Sequence, residues 1–140
     1  MKIVLSRKGF DSSSGGGPSP IVDGVPVTLP IPTAMKSSTR WSDLGLHEHV
    51  VAASRGRLSG DEFCHHDPMF RQGGTALLGQ CGAAQSHLAN QGVGEGDVFL
   101  FFGLFAGENG ARHHRIFGWL EAQNVEPIAA MAPERLNELK

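Results

Sequence analysis

Four side chains with acid–base or metal-ligating chemistry stand in a row at Cys64, His65, His66 and Asp67, inside the stretch FCHHDPMF. Adjacent residues of an extended chain point to opposite faces, so the four cannot readily close on one ion. His65 and Asp67 can share a face, and His87, His113 and His114 are remote partners that a fold could bring near. Neither C-x-x-C nor H-E-x-x-H occurs, so no zinc-site spacing is present and no metal ligand is assigned. His66 and Asp67 are the candidates for proton transfer, with Asp11 as a third. The plain alternative is a loop in which Asp67-Pro68 starts a turn. Cys81 and His87 lie six residues apart, on nearly opposite faces of a helix, which argues against a nucleophilic pair.

Other stretches offer binding chemistry. Arg7 and Lys8 precede GFDSSSGGGPSP, a Ser/Gly-rich turn directly after an apolar strand candidate. Such a turn can present backbone N–H groups to an anion, so Arg7, Lys8, Ser12, Ser13, Gly15 and Gly16 are candidates for phosphate or nucleotide contact. The pattern is neither G-x-x-x-x-G-K-[ST] nor G-x-G-x-x-G, and a purely structural turn is the rival reading. Gln80, Gln85 and Asn90 carry amides suited to base edges, although amides are also ordinary on a solvated helix face. Arg112, His113, His114 and Arg115 form a basic cluster placed just before a strand at 116–122. From it, His114 and Arg115 are candidates for nucleic-acid contact, with Phe102, Phe105 and Trp119 near in sequence for stacking. Arg55 and Arg57 read as a solvated surface pair.

The elements that must position these groups centre on GQCGAAQSHLANQGVGEGDVFLFFGLF, residues 79–105. Ala83, Ala84, His87 and Leu88 recur at helical spacing and predict a short helix with one core-facing side. Gly92 can end that helix in a left-handed conformation, Val93 can pack back on it, and residues 94–97 make a turn. Val98–Phe102 is an apolar run that predicts a strand buried on both faces. Residues 107–110 have hairpin chemistry and lead to a second strand, RIFGWLEA. Lys2–Ser6 is another strand, expected beside 98–102 in one sheet. Asp23-Gly24 predicts a hairpin joining Ile21 to Val25, and the prolines from 18 to 32 allow only edge or extended structure. Ser42–His49 reads as a short helix with Ser42 as its cap. Pro133 opens a further helix that is still running where the sequence stops, so this is either a terminal helix or a shortened chain.

At 140 residues and 40% hydrophobic content, the chain fits one compact domain with a real core and excludes a disordered polypeptide. A net charge of −2 gives no global argument for binding a polyanion. Two cysteines make no disulfide framework, and no signal peptide or transmembrane-length run appears. A reduced, cytoplasmic chain with no membrane partner is the expectation.

Taken as ordered blocks, MKIVLSRKGFDSSSGGGPSPI, LPIP at 29–32, HDP at 66–68, GQCGAAQSHLANQGV, GDVFLFFGLF and FGWL resemble the third type of nucleotide modification associated domain. The likeness covers residues 1 to about 128. That family occurs in phages and bacteria, and the resemblance implies DNA base hypermodification. DNA or a nucleotide would be the substrate and other base-modification enzymes the partners. It fixes neither a reaction nor a cofactor, and leaves oligomeric state open. The helix, turn, strand, loop and strand of 79–122 are also similar to small PUA-like barrels, which implies a non-enzymatic reader of modified bases as the rival. A metal-dependent hydrolase ranks third. The expected fold is α+β or mixed α/β: a central sheet, with a PUA-like barrel as its alternative form, and a few short helices.

Overall fold

The computed structural model describes residues 1–34, 37, 39–79 and 82–134. Its strands are β1 (Ile3–Arg7), β2 (Ser19–Val22), β3 (Val25–Pro26), β4 (Met69–Phe70), β5 (Ala76–Leu77), β6 (Val98–Ala106) and β7 (Arg112–Glu121). The helices are α1 (His47–Ala53) and α2 (Gly82–Asn90), with 3₁₀ turns at Ser42–Leu44 and Ile128–Ala130. This is the mixed α+β class. The main sheet has five strands in the order β1-β6-β2-β3, with β7 also on β6, and it stays open. The PUA-like barrel is thereby corrected. Chain contacts divide into two compact units, 1–4 with 68–100 and 119–140, and 5–67 with 101–118.

The second unit holds the aromatic core. Phe10, Leu29, Trp41, Val50 and Cys64 are buried together, with Leu44, Leu46, Ala53 and Leu58 packed around them. Each large side chain contributes about 1.5–3 kcal/mol by leaving water. Phe10 meets Trp41 edge-on at 5.8 Å between ring centroids, and the Trp41 indole N–H donates to the Pro30 carbonyl at 2.9 Å. The indole thus buries its ring without orphaning its donor. β6 supplies a second aromatic layer, with Phe101 and Phe105 against Phe117 of β7. Its residues alternate between buried and half-buried and none is exposed, which is the two-sided burial expected of this run.

β1 and β2 use one edge of β6 in succession. The Lys8 N–H donates to the Phe102 carbonyl, after which the chain leaves the sheet. It returns with Ser19 and Pro20 paired in parallel to Phe105 and Ala106. At Gly103 the Lys8 carbonyl comes so near that a Cβ there would sit 2.7 Å from it. β2 and β3 form the expected hairpin around Asp23 and Gly24, at φ 50 and 77, the signs of a type I′ turn.

Residues 42–49 do not form one helix. Gly45 at φ 69 ends the 3₁₀ turn, and α1 starts two residues later. Ser42 gives no side-chain cap; the Asp43 carboxylate instead accepts the Arg40 N–H at 2.8 Å.

In the first unit, α2 ends as expected. The N–H groups of Gly92 and Val93 return to the carbonyls of Ala89 and Leu88, with Gly92 at φ 67. Its predicted core-facing side is corrected: from Ala83 to Asn90 only Leu88 is even half-buried. The four-residue apolar stripe is too short and too rich in Ala to bury much area. Asp97 closes the following turn. Its carboxylate accepts the Gly94 N–H at 2.9 Å and the Lys2 N–H at 2.7 Å. Those two backbone donors hold its pKa below the ordinary value. β4 and β5 form a separate two-stranded hairpin. Of the helix expected from Pro133, only Pro133 and Glu134 are described and both are helical; the remainder lies outside the described residues.

Candidate functional site

The residues singled out from sequence fall mostly in the second unit. Arg7 and Lys8 end β1, and their side chains take separate carboxylates. Arg7 Nη2 lies 3.1 Å from Asp11 Oδ2, and Lys8 Nζ lies 2.9 Å from Asp67 Oδ2. The two pairs differ in burial. Arg7 is 51% exposed, whereas Lys8 and Asp67 are 17% and 10% exposed.

Asp11 organises its own loop. Its Oδ1 accepts from the Ser13 N–H and hydroxyl, both at 2.8 Å, and from the Ser14 N–H at 2.7 Å. Its backbone exchanges bonds with Ser14 and Gly16. Burial acts to raise the Asp11 pKa, but the Ser13 and Ser14 hydrogen bonds and Arg7 outweigh it, and the net shift is downward. The N–H groups of Ser13, Ser14 and Gly16, expected to cradle an external anion, are engaged within the loop. Gly15 and Gly16 sit at φ 91 and 99, and a Cβ on Gly15 would run into the Phe10 ring. The glycines therefore have a packing reason as well.

Asp67 follows an extended strap, residues 63–65, held on both edges, and a tight turn at His66 in which the Asp67 N–H returns to the His65 carbonyl at 3.0 Å. His65 N–H donates to the Ile31 carbonyl, Thr33 N–H to that of Phe63, and Cys64 N–H to that of Thr39. Arg40 lies over the Phe63 ring at 4.9 Å. Alternation along the strap buries Cys64 and exposes His65, and at the turn His66 and Asp67 are half-buried. Burial, with a smaller push from Asp43, raises the Cys64 thiol pKa to about 11, so it is a protonated core group and not a nucleophile. Burial lowers the His66 pKa and so favours the neutral imidazole, against an opposing pull from Asp67. Among the described residues, no three His, Cys, Asp or Glu side chains converge as metal ligands.

The base-contact candidates divide between the units. His114 and Arg115 are exposed on β7, with His114 edge-on to Phe102 at 6.1 Å. β7 begins at Arg112, so the whole basic cluster lies in the strand and not ahead of it. Among the described residues, the inward His113 Nε2 is buried without a hydrogen-bond partner. Gln85 and Asn90 are exposed on α2 in the first unit, and Gln80 lies outside the described residues, as does Cys81.

Sequence reading missed one feature. A cleft of about 280 Å³ is lined by residues 16–20, by His49, Ala52, Ala53 and Arg55, and by Ala106. The signal available was Arg55 one position ahead of Gly56, where a helix end would ordinarily place the glycine first.

The family model for nucleotide modification associated domain 3 matches residues 2–139. The chain belongs to that family. No curated protein and no solved structure matches it significantly. Among the described residues, no helix is long and apolar enough to cross a membrane.

Proposed function

We propose that this chain acts on a nucleobase or nucleotide in the hypermodification of DNA bases, with Lys8, Asp67 and His66 at its centre. The observation that carries the reading is the Lys8–Asp67 pair: two mostly buried charges, 59 positions apart in sequence, joined at 2.9 Å. Family membership supports a nucleotide or nucleic-acid substrate. Burying two charges is costly unless they are held well, and titratable groups in such surroundings concentrate where chemistry is done. Transfer of a group to a base requires a proton acceptor at the attacking atom. Neutral His66 has that capacity, and Asp67, oriented by Lys8, can steady the imidazolium that forms. Arg7 is half exposed and has donors beyond the one on Asp11, so a substrate phosphate can share it. Asp11 serves as the organiser of that loop. His114 and Arg115 are assigned to contact with nucleic acid, as are Gln85 and Asn90 and, on sequence alone, Gln80. A target base in a duplex would have to be flipped or single-stranded. We read the chain as one nucleotide-modification-associated domain acting in the cytoplasm of a bacterial or phage-infected cell, beside other base-modification enzymes.

Asp67→Asn keeps size and most hydrogen bonding while removing the charge. It is expected to lower formation of the modified nucleoside by ~10²–10⁴-fold while DNA binding persists. Nucleoside mass spectrometry of DNA from expressing cells, beside a binding titration at fixed salt, checks both halves. Full product formation by a folded Asp67→Asn variant removes Asp67 from the chemistry. A wild-type chain that binds modified bases and yields no new nucleoside is a reader, not an enzyme.

A further inference from the structure

We infer that the cleft between Gly16–Pro20 and the end of α1 is a phosphate subsite for the phosphate end of a mononucleotide, with Arg55 as its principal contact. This deepens the nucleotide reading above and rests on it. The cleft holds about 280 Å³, just under the ~300–1,000 Å³ usual for a whole small-molecule site. That is room for a phosphate and part of a sugar. Among the described residues its lining includes no carboxylate, and its ionisable side chains are His49 and Arg55. One wall is backbone brought close by glycine: a Cβ on Gly17 would lie 2.5 Å from the Ala53 carbonyl, and one on Gly16 would collide with the Arg57 guanidinium. Arg57 is steadied there by its Nε–H, which donates to the Ser54 carbonyl at 3.1 Å.

Arg55 itself is held in an unusual way. Its N–H returns to the Ala52 carbonyl and the Gly56 N–H to the Val51 carbonyl, so Arg55 occupies the left-handed position that ends α1. It sits at φ 56, a conformation that residues with a Cβ rarely adopt. Gly56, the next residue, is also left-handed at φ 78, so the turn has two such positions and Arg55 is the one that carries a side chain. Strain of this kind persists where surroundings or function require the side chain. A helix C-terminus ordinarily disfavours an anion, but here the carbonyls of Val51, Ala52 and Ser54 are taken by Gly56, Arg55 and Arg57. Arg55 thus lines a cleft from which the helix's negative end is partly withdrawn, and the Arg57 guanidinium stands against Gly16 of its wall. Guanidinium matches phosphate geometry.

The informative variant is Arg55→Gly, which removes the charge and relieves the backbone together. The full-length chain is titrated calorimetrically with inorganic phosphate, a deoxynucleoside monophosphate, the matching nucleoside and a short single-stranded oligonucleotide. Phosphate and the monophosphate are expected to bind and the nucleoside not. Arg55→Gly is expected to weaken the monophosphate at least ~10-fold while its ligand-free thermal midpoint holds or rises. Arg55→Lys should recover part of the affinity. Equal binding by Arg55→Gly, or by the nucleoside, overturns the subsite. Binding of the oligonucleotide alone, lost in Arg55→Gly, overturns the mononucleotide assignment in favour of a DNA backbone contact. Product formation by Asp67→Asn reads the catalytic proposal separately, since that residue does not line the cleft.

Discussion

Asp11 and Asp67 invite comparison, because the same strand end feeds both. Arg7 reaches a carboxylate four residues on, in a pair whose arginine is half exposed; Lys8 reaches one 59 residues on, in a pair largely withdrawn from water. Asp11 spends both oxygens on its own neighbourhood and shapes a turn. Asp67 is brought in by a strap laced to two other segments. A local ion pair can form wherever the chain happens to go. The long-range pair exists only when the second unit has folded around Phe10 and Trp41, so it reports on, and depends on, the tertiary structure.

The strongest way to break the contrast is to remove Lys8. Lys8→Met leaves Asp67 mostly buried without its cation and is expected to cost about 2–4 kcal/mol, less than a fully buried pair because Lys8 retains some solvent. Lys8→Met with Asp67→Asn should recover part of that loss. Denaturant midpoints of the two single variants and the double variant measure the coupling, and simple additivity would sink the idea that the pair acts as a unit.

A smaller effect belongs to the turn. Asp11→Asn should cost about 1–2 kcal/mol, through weakened charge-assisted bonds to Ser13 and Ser14. The sign with pH follows from the lowered pKa. Stability from Asp11 is fully present above its ordinary value of 3.8 and is lost as pH falls through the lower folded value. Wild type and Asp11→Asn should therefore converge in acid; a gap that stays constant from pH 7 to pH 2.5 would contradict this account.

The smallest structural effect is expected from Arg7→Ala. An ion pair with a half-exposed arginine contributes ~0.2–1 kcal/mol, so the thermal midpoint should move little. DNA or nucleotide binding should nevertheless weaken if Arg7 shares its guanidinium with a phosphate. Unchanged binding by this folded variant retires the phosphate role of the loop.

What was legible in the sequence tracks this same division between local and distant. The Asp23-Gly24 hairpin, the Gly92 helix end and the 94–97 turn each depend on a few adjacent residues, and each is where its chemistry placed it. Val98–Phe102 announced itself by length and apolarity. The failures were tertiary or marginal. α2 has the spacing of an amphipathic helix without the bulk to bury a face, and Gly45 split what composition alone read as one helix. His66 and Asp67 were legible as chemical types, while Lys8 as the partner of Asp67 was not, because nothing local encodes a contact across 59 positions. Arg55 was dismissed as surface, since its left-handed backbone appears only once α1 is seen to end beneath it.

The shared edge of β6 has a consequence for how this scaffold can vary. β1 leaves that edge at Lys8 and β2 rejoins it at Ser19, so residues 9–18 are an insert in what is otherwise one line of pairing. The registers on either side are set by separate ladders. Lengthening such an insert adds little closure entropy, only about 0.6 kcal/mol per doubling. The excursion can therefore be resized between its fixed points, Phe10 in the core and Gly17 against Ala53, while the β-ladders stay in frame.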